Sequence, residues 1–171
     1  MQGTDLFIEL AGIAGVFVGF GALIAVRSGG ASDTFEVAYV RGVVSMGLVV
    51  VVAALAPVTI GRYDVGGHQV WAVSSVVFTV GWVGMIAANA RTQEYWRAED
   101  GIARSRSLNV IAALAIYPLM FASFAIPIVI LLGLAPDLES ALYFTTVVLC
   151  LIFDAWLLLQ LVFRAPRPAG V

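Results

Sequence analysis

Polar residues are sparse along this chain and gather in short intervals, leaving long apolar stretches at 6–26, 37–60, 70–90, 108–132 and 138–163. A run of about 20 apolar residues, coiled as a helix, matches the thickness of the bilayer hydrocarbon. Valine-rich runs such as 48–52 would suggest strands in water. In lipid, every backbone amide and carbonyl must be satisfied inside its own segment, which a helix achieves and a lone strand does not. The pattern predicts an all-α integral membrane protein: a five-transmembrane-helix bundle forming a single domain over 1–171.

The intervals carry helix-end signals. Arg27 and two glycines follow the first stretch, Gly61 follows the second, and Gly133 then Pro136 follow the fourth, the order expected beyond a helix C-terminus. Asp137 stands where an N-cap for the fifth helix belongs. So short a connection makes the fourth and fifth helices antiparallel neighbours. The residues before the first stretch include Asp5 and no Arg or Lys, unlike the basic start of a signal peptide, so this segment is expected to be a retained helix. No internal repeat relates the two halves, which counts against an inverted-repeat transporter.

Arginine placement predicts orientation. Arg27 and Arg41 flank the first connection, Arg91, Arg97, Arg104 and Arg106 occupy the third, and Arg164 and Arg167 lie in the tail; the opposite side holds only Arg62. The positive-inside rule then puts the N-terminus outside and the C-terminus inside. Tyr95, Trp96 and Trp71 fit aromatic anchors at the two interfaces. The expected location is a bacterial or archaeal cytoplasmic membrane.

Composition agrees with lipid: 61% of residues are hydrophobic and 12% charged, against roughly 25% charged in soluble domains. The mean hydropathy is +1.01. One cysteine, Cys150, excludes an intrachain disulfide; with one histidine, His68, it also excludes a mononuclear Cys/His zinc site within one chain. No metal and no cofactor are expected, and a lone histidine makes a poor case for haem. Dispersed arginines without interleaved aromatics argue against nucleic acid.

Candidate chemistry reduces to a few intramembrane groups. Asp154 lies inside the fifth stretch, where a carboxylate costs about 2.5 kcal/mol or more on insertion scales and should be neutral, paired or turned to a wet interior. Desolvation favours its protonated form. At about 100° per residue, Tyr143, Thr146, Cys150 and Asp154 share one face of the fifth helix, whereas Thr145 points elsewhere. His68, Ser75, Thr79, Trp82 and Asn89 line one side of the third helix, with Thr79 and Trp82 expected at the depth of Asp154 and in contact with it. Tyr117 on the fourth helix is a further candidate partner. Such rows serve either as helix contacts or as one wall of a proton or ion path.

Arg41, about one turn inside its helix end, is expected to snorkel to the headgroups, and Glu9 to be an interfacial carboxylate. Gly12, Gly15, Gly19 and Ala22 form a small-residue face on the first helix that suits packing within the bundle or between copies. Pro57, Pro118 and Pro127 each leave the carbonyl four residues earlier without its amide, permitting kinks. No nucleophile and base are paired as a hydrolase requires. The sequence therefore favours a non-enzymatic helix-association module embedded in the lipid bilayer, as a homo-oligomer or with other membrane subunits. The alternative is an ion or proton channel or transporter that uses the polar faces of helices three and five, with Asp154 as the titrating group.

Overall fold

The computed structural model describes residues 4–27, 34–63, 65–90 and 106–163, with side chains over 4–24, 26, 40–63, 65–90 and 118–159. These residues form helices α1 (Thr4–Arg27), α2 (Thr34–Ile60), α3 (His68–Ala90), α4 (Arg106–Leu131) and α5 (Glu139–Phe163). No strand occurs among them. Four segments, Thr4–Ile24, Val40–Tyr63, His68–Ala90 and Pro136–Leu159, are long and apolar enough to cross a membrane, and Pro118–Leu131 of α4 is a shorter apolar helix. The chain is thus an all-helical bundle with four to five apolar helices of spanning character. The residues on which the orientation and the Tyr95 and Trp96 anchors rest lie largely outside the described ones.

Helix α2 runs through the middle of the bundle and packs against α1, α3 and α5, while α4 packs against α3 and α5. Its register with each neighbour is antiparallel. Against α1, a Cβ on Gly21 would lie 3.1 Å from Val44, and one on Gly47 would lie 2.5 Å from Val18. Against α3, Gly81 meets Val49, and Asn89 reaches Ser45. Against α5, Gly42 faces Leu157, and Tyr143 reaches Ala53. With no hydrophobic drive between helices in lipid, close backbone approach and dispersion carry the association, and small residues on the contact faces permit it.

The contact face of α1 carries Phe7, Ala11, Ala14, Val18 and Gly21, of which Ala14 is fully buried. The expected small-residue face is turned elsewhere: Cβ atoms built on Gly12, Gly15 or Gly19 would meet nothing within 4 Å, and Ala22 is exposed. The packing within the bundle considered for that face is therefore made by a stripe one residue away, a rotation of about 100° around the helix.

Helix ends follow the glycine signals in part. Gly133 adopts φ +62°, Gly133 N donates to Ile130 O at 3.0 Å and Leu134 N to Val129 O at 3.2 Å, a Schellman closure of α4 that satisfies two terminal carbonyls. Asp137 is not the N-cap of α5. It falls inside a 3-10 turn, Pro136–Leu138, that starts at Pro136 and feeds directly into Glu139. Trp71 is half-buried and turned into an aromatic cluster, with its ring 6.1 Å from Phe7 and 5.9 Å from Tyr143.

Candidate functional site

The buried face of α5 is polar along much of its length. Glu139, Tyr143, Thr146, Cys150 and Asp154 recur at intervals of three and four residues, and each is at most 3% exposed. Such spacing stacks side chains on one helical face, so this is the seam along which α5 meets its neighbours. The sequence stripe is reproduced and extended by one turn to Glu139, which is easily overlooked because it sits at the edge of the apolar run.

Most of the seam is partnered. Glu139 Oε1 pairs with His68 Nδ1 at 2.5 Å, joining the N-termini of α5 and α3. The Tyr143 hydroxyl donates to Ala53 O at 2.8 Å and reaches Ser74 O at 3.3 Å, so one side chain ties α5 to α2 and α3. Thr146 satisfies itself on its own helix by donating to Leu142 O at 3.1 Å, as Thr145 does to Ala141 O on the outer face. Cys150 is buried on the same seam, and Ser123 on α4, the residue four before Pro127, donates its hydroxyl to Met120 O at 2.8 Å.

Asp154 is different. It is 0% exposed, and neither carboxyl oxygen has a hydrogen-bond partner among the described residues. Its Oδ2 lies against α2 at Gly47, where a Cβ would come within 3.1 Å of it, within 2.5 Å of Val18 and within 3.4 Å of the Ala14 carbonyl. Gly47 is the position where α1, α2 and α5 converge, and its missing side chain makes room for the carboxyl group. Nothing in the local sequence marks this glycine. Its role follows from the register of three helices.

The α3 row is brought to the same region without a hydrogen bond to that carboxyl among the described residues. Trp82 reaches the expected depth and is 1% exposed, yet its ring stacks on Phe78 at 6.3 Å, meets Phe153 edge-on at 6.5 Å and lies 6.2 Å from Phe124. It thus contacts the residue next to Asp154, which projects about 100° away around α5. Thr79 donates to Ser75 O at 2.7 Å, so the expected bonding of Thr79 and Trp82 to Asp154 is absent. The side chain of Tyr117 lies outside the described residues.

Beside the Asp154 oxygens, the Ser74 and Ser75 hydroxyls and the Trp82 indole nitrogen are buried without hydrogen-bond partners among the described residues. Buried polar atoms are overwhelmingly paired in folded proteins, so these few stand apart from the rest of the interior. No group of three or more His, Cys, Asp or Glu able to hold a metal occurs among the described residues. Glu9 and Arg41 are both exposed on their helices.

Comparison with protein-family models, curated proteins and solved structures finds no match to this chain.

Proposed function

We propose that this chain is a proton-handling membrane protein of the channel or transporter class, in which Asp154 takes up and releases the proton. The observation that carries this reading is a fully buried carboxyl group whose two oxygens have no hydrogen-bond partner among the described residues, on a seam where Glu139, Tyr143 and Thr146 have partners. An unsatisfied buried polar group costs about 1–3 kcal/mol, and a helix contact has no use for that cost. A carboxyl that must gain and lose a proton does. Intramembrane acidic residues serve in this way in proton relays. A proton needs one acceptor oxygen, whereas a hard metal cation such as Ca²⁺ takes about 6–8 oxygen ligands, which favours the proton as the species handled.

The test is proton flux into proteoliposomes under an imposed pH gradient, wild type against Asp154→Asn. Asn keeps the shape and abolishes titration. Loss of flux with unchanged helicity and melting is the expected result, and equal flux in the two proteins would remove Asp154 from the mechanism.

A second reading, helix association between copies or with other membrane subunits, is favoured by a separate observation: the Gly12, Gly15, Gly19 and Ala22 face of α1 is open. The two readings are compatible, since Asp154 faces inward and the glycine stripe outward.

A further inference from the structure

Asp154 is fully buried, so a wall of its site must open before water can reach the carboxyl. Helix α1 forms part of that wall: Asp154 Oδ2, Val18 Cγ2 and the Ala14 carbonyl oxygen all lie within 3.4 Å of the point where a Gly47 Cβ would stand. The other walls are tied to one another. Tyr143 bonds α5 to the Ala53 carbonyl of α2 and reaches Ser74 O of α3, and Glu139 pairs α5 with His68 of α3. Helix α1 is the least buried of the four long spans, with 17% of its spanning segment inside the protein, against 28% for α3, 33% for α5 and 44% for α2. Local opening takes place where few buried contacts must be given up. The two halves of α1 are held differently. Phe7 is buried in an aromatic cluster, its ring 5.7 Å from Phe144 and 6.1 Å from both Trp71 and Tyr143. About three turns on, Val18 and Gly21 lie against Gly47, Val43 and Val44, while Val16, Phe20, Leu23 and Val26 around them are exposed.

We infer that α1 is a lid over Asp154, pivoting at Phe7, and that water reaches the carboxyl when α1 parts from α2 and α5 at Ala14, Val18 and Gly21. This rests on the reading of Asp154 as a proton site. With the lid shut, ionisation would leave a carboxylate beside valine methyls and near a carbonyl oxygen, none of which donates a hydrogen bond. With the lid open, water supplies the donors. The transfer is a single one: a hydronium ion gives up a proton, one Asp154 oxygen gains an O–H bond, and water is left; release is the reverse. Among the described side chains, the charged and titratable groups on the packed helices are few. Asp5 and Glu9 of α1 and Arg41 of α2 are exposed, His68 of α3 stands at the far end beside Glu139, and α4 brings none. On α5 itself, Cys150 and Tyr143 are buried on the Asp154 face.

The experiment staples the lid shut after folding. A Cβ on Gly21 would lie 3.7 Å from Val43 Cβ, inside the roughly 3.5–4.5 Å that a disulfide spans, so Gly21→Cys with Val43→Cys in a Cys150→Ala background can be closed by oxidation and reopened by reductant. The full chain is placed in lipid nanodiscs and given a pH jump, and time-resolved infrared spectroscopy follows the carboxyl band that Asp154→Asn removes. The oxidised protein is expected to protonate about tenfold more slowly or worse than the same protein reduced, with the endpoint of the titration in place. A staple across α2 and α3, Val49→Cys with Gly81→Cys bridged by a short bis-methanethiosulfonate in the same background, is expected to leave the rate unchanged. Val18→Ala, which thins the lid's contact at Gly47 and needs no staple, should quicken protonation about threefold. Equal rates in the oxidised and reduced proteins, equal slowing by the α2–α3 staple, or an unchanged rate in Val18→Ala overturns the lid while leaving the proton site standing. If the wild-type band does not titrate at all, the reading of Asp154 as a proton site fails, and the lid fails with it.

Discussion

The Tyr143 hydroxyl donates to the carbonyl of Ala53, the acceptor that Pro57 leaves without its helical amide four residues on. A proline in a membrane helix is tolerated where a neighbour re-satisfies the freed carbonyl, and here α5 supplies the donor from its polar seam. Tyr143 thus belongs to the architecture of the bundle, which separates it from Asp154 on the same face.

Tyr143→Phe should lower stability by about 1–3 kcal/mol, because the Ala53 carbonyl is then buried and unpaired. Pro57→Ala restores an amide four residues on and should recover part of that loss only in the Tyr143→Phe background. Thermal unfolding of the two single variants and the double variant in detergent checks this, and additive effects would deny the link.

Gly47→Ala should destabilise by about 1–3 kcal/mol, since an added Cβ would lie 2.5 Å from Val18 Cγ2 and 3.1 Å from Asp154 Oδ2. Val18→Ala in the same chain removes the first collision and should return part of the stability. A Gly47→Ala protein that melts like wild type would mean that α1, α2 and α5 do not converge there.

Gly15→Leu together with Gly19→Leu should leave the melting of the isolated chain within about 0.5 kcal/mol of wild type, because nothing lies within 4 Å of either position. If the face joins copies, light scattering in mild detergent should show a smaller particle for the variant. A large drop in melting would instead place this face inside the bundle.

His68→Ala should destabilise by about 1–3 kcal/mol by leaving Glu139, which is 3% exposed, without its partner. Adding Glu139→Gln should cost little more, since the pair is already broken. The coupling is expected at about 0.5 kcal/mol or above in a double-variant cycle, and zero coupling would reduce the contact to mere proximity.

Much of the candidate site was legible along α5. Tyr143, Thr146, Cys150 and Asp154 share a face because helical geometry is fixed at about 100° per residue, and that face is buried as a polar stripe in lipid should be. Glu139 was legible in principle by extending the stripe one turn. Gly47 was not, because a glycine among valines carries no signal until three helices are set in register. Nor was the split between Tyr143 and Asp154, since it depends on whether a donor or an acceptor on another helix is within reach.

The sequence alone determined helices in place of strands, because the length and apolarity of each stretch leave lipid as the solvent and no other way to satisfy the backbone. It also determined that the carbonyl four residues before Pro57 would lack its helical amide, since a missing N–H is a local covalent fact. Only the tertiary structure decided which small-residue stripe of α1 faces α2. Ala11, Ala14 and Gly21 are packed, and Gly12, Gly15 and Gly19 are not, though the two stripes differ by a single residue and both read as good contact faces. Lipid is as apolar as a neighbouring helix, so hydrophobicity cannot rank the two rotations. The choice falls to close packing against Val18, Val43 and Val44 and to the fit of Gly47 over the Asp154 carboxyl, which exist only once the helices are assembled.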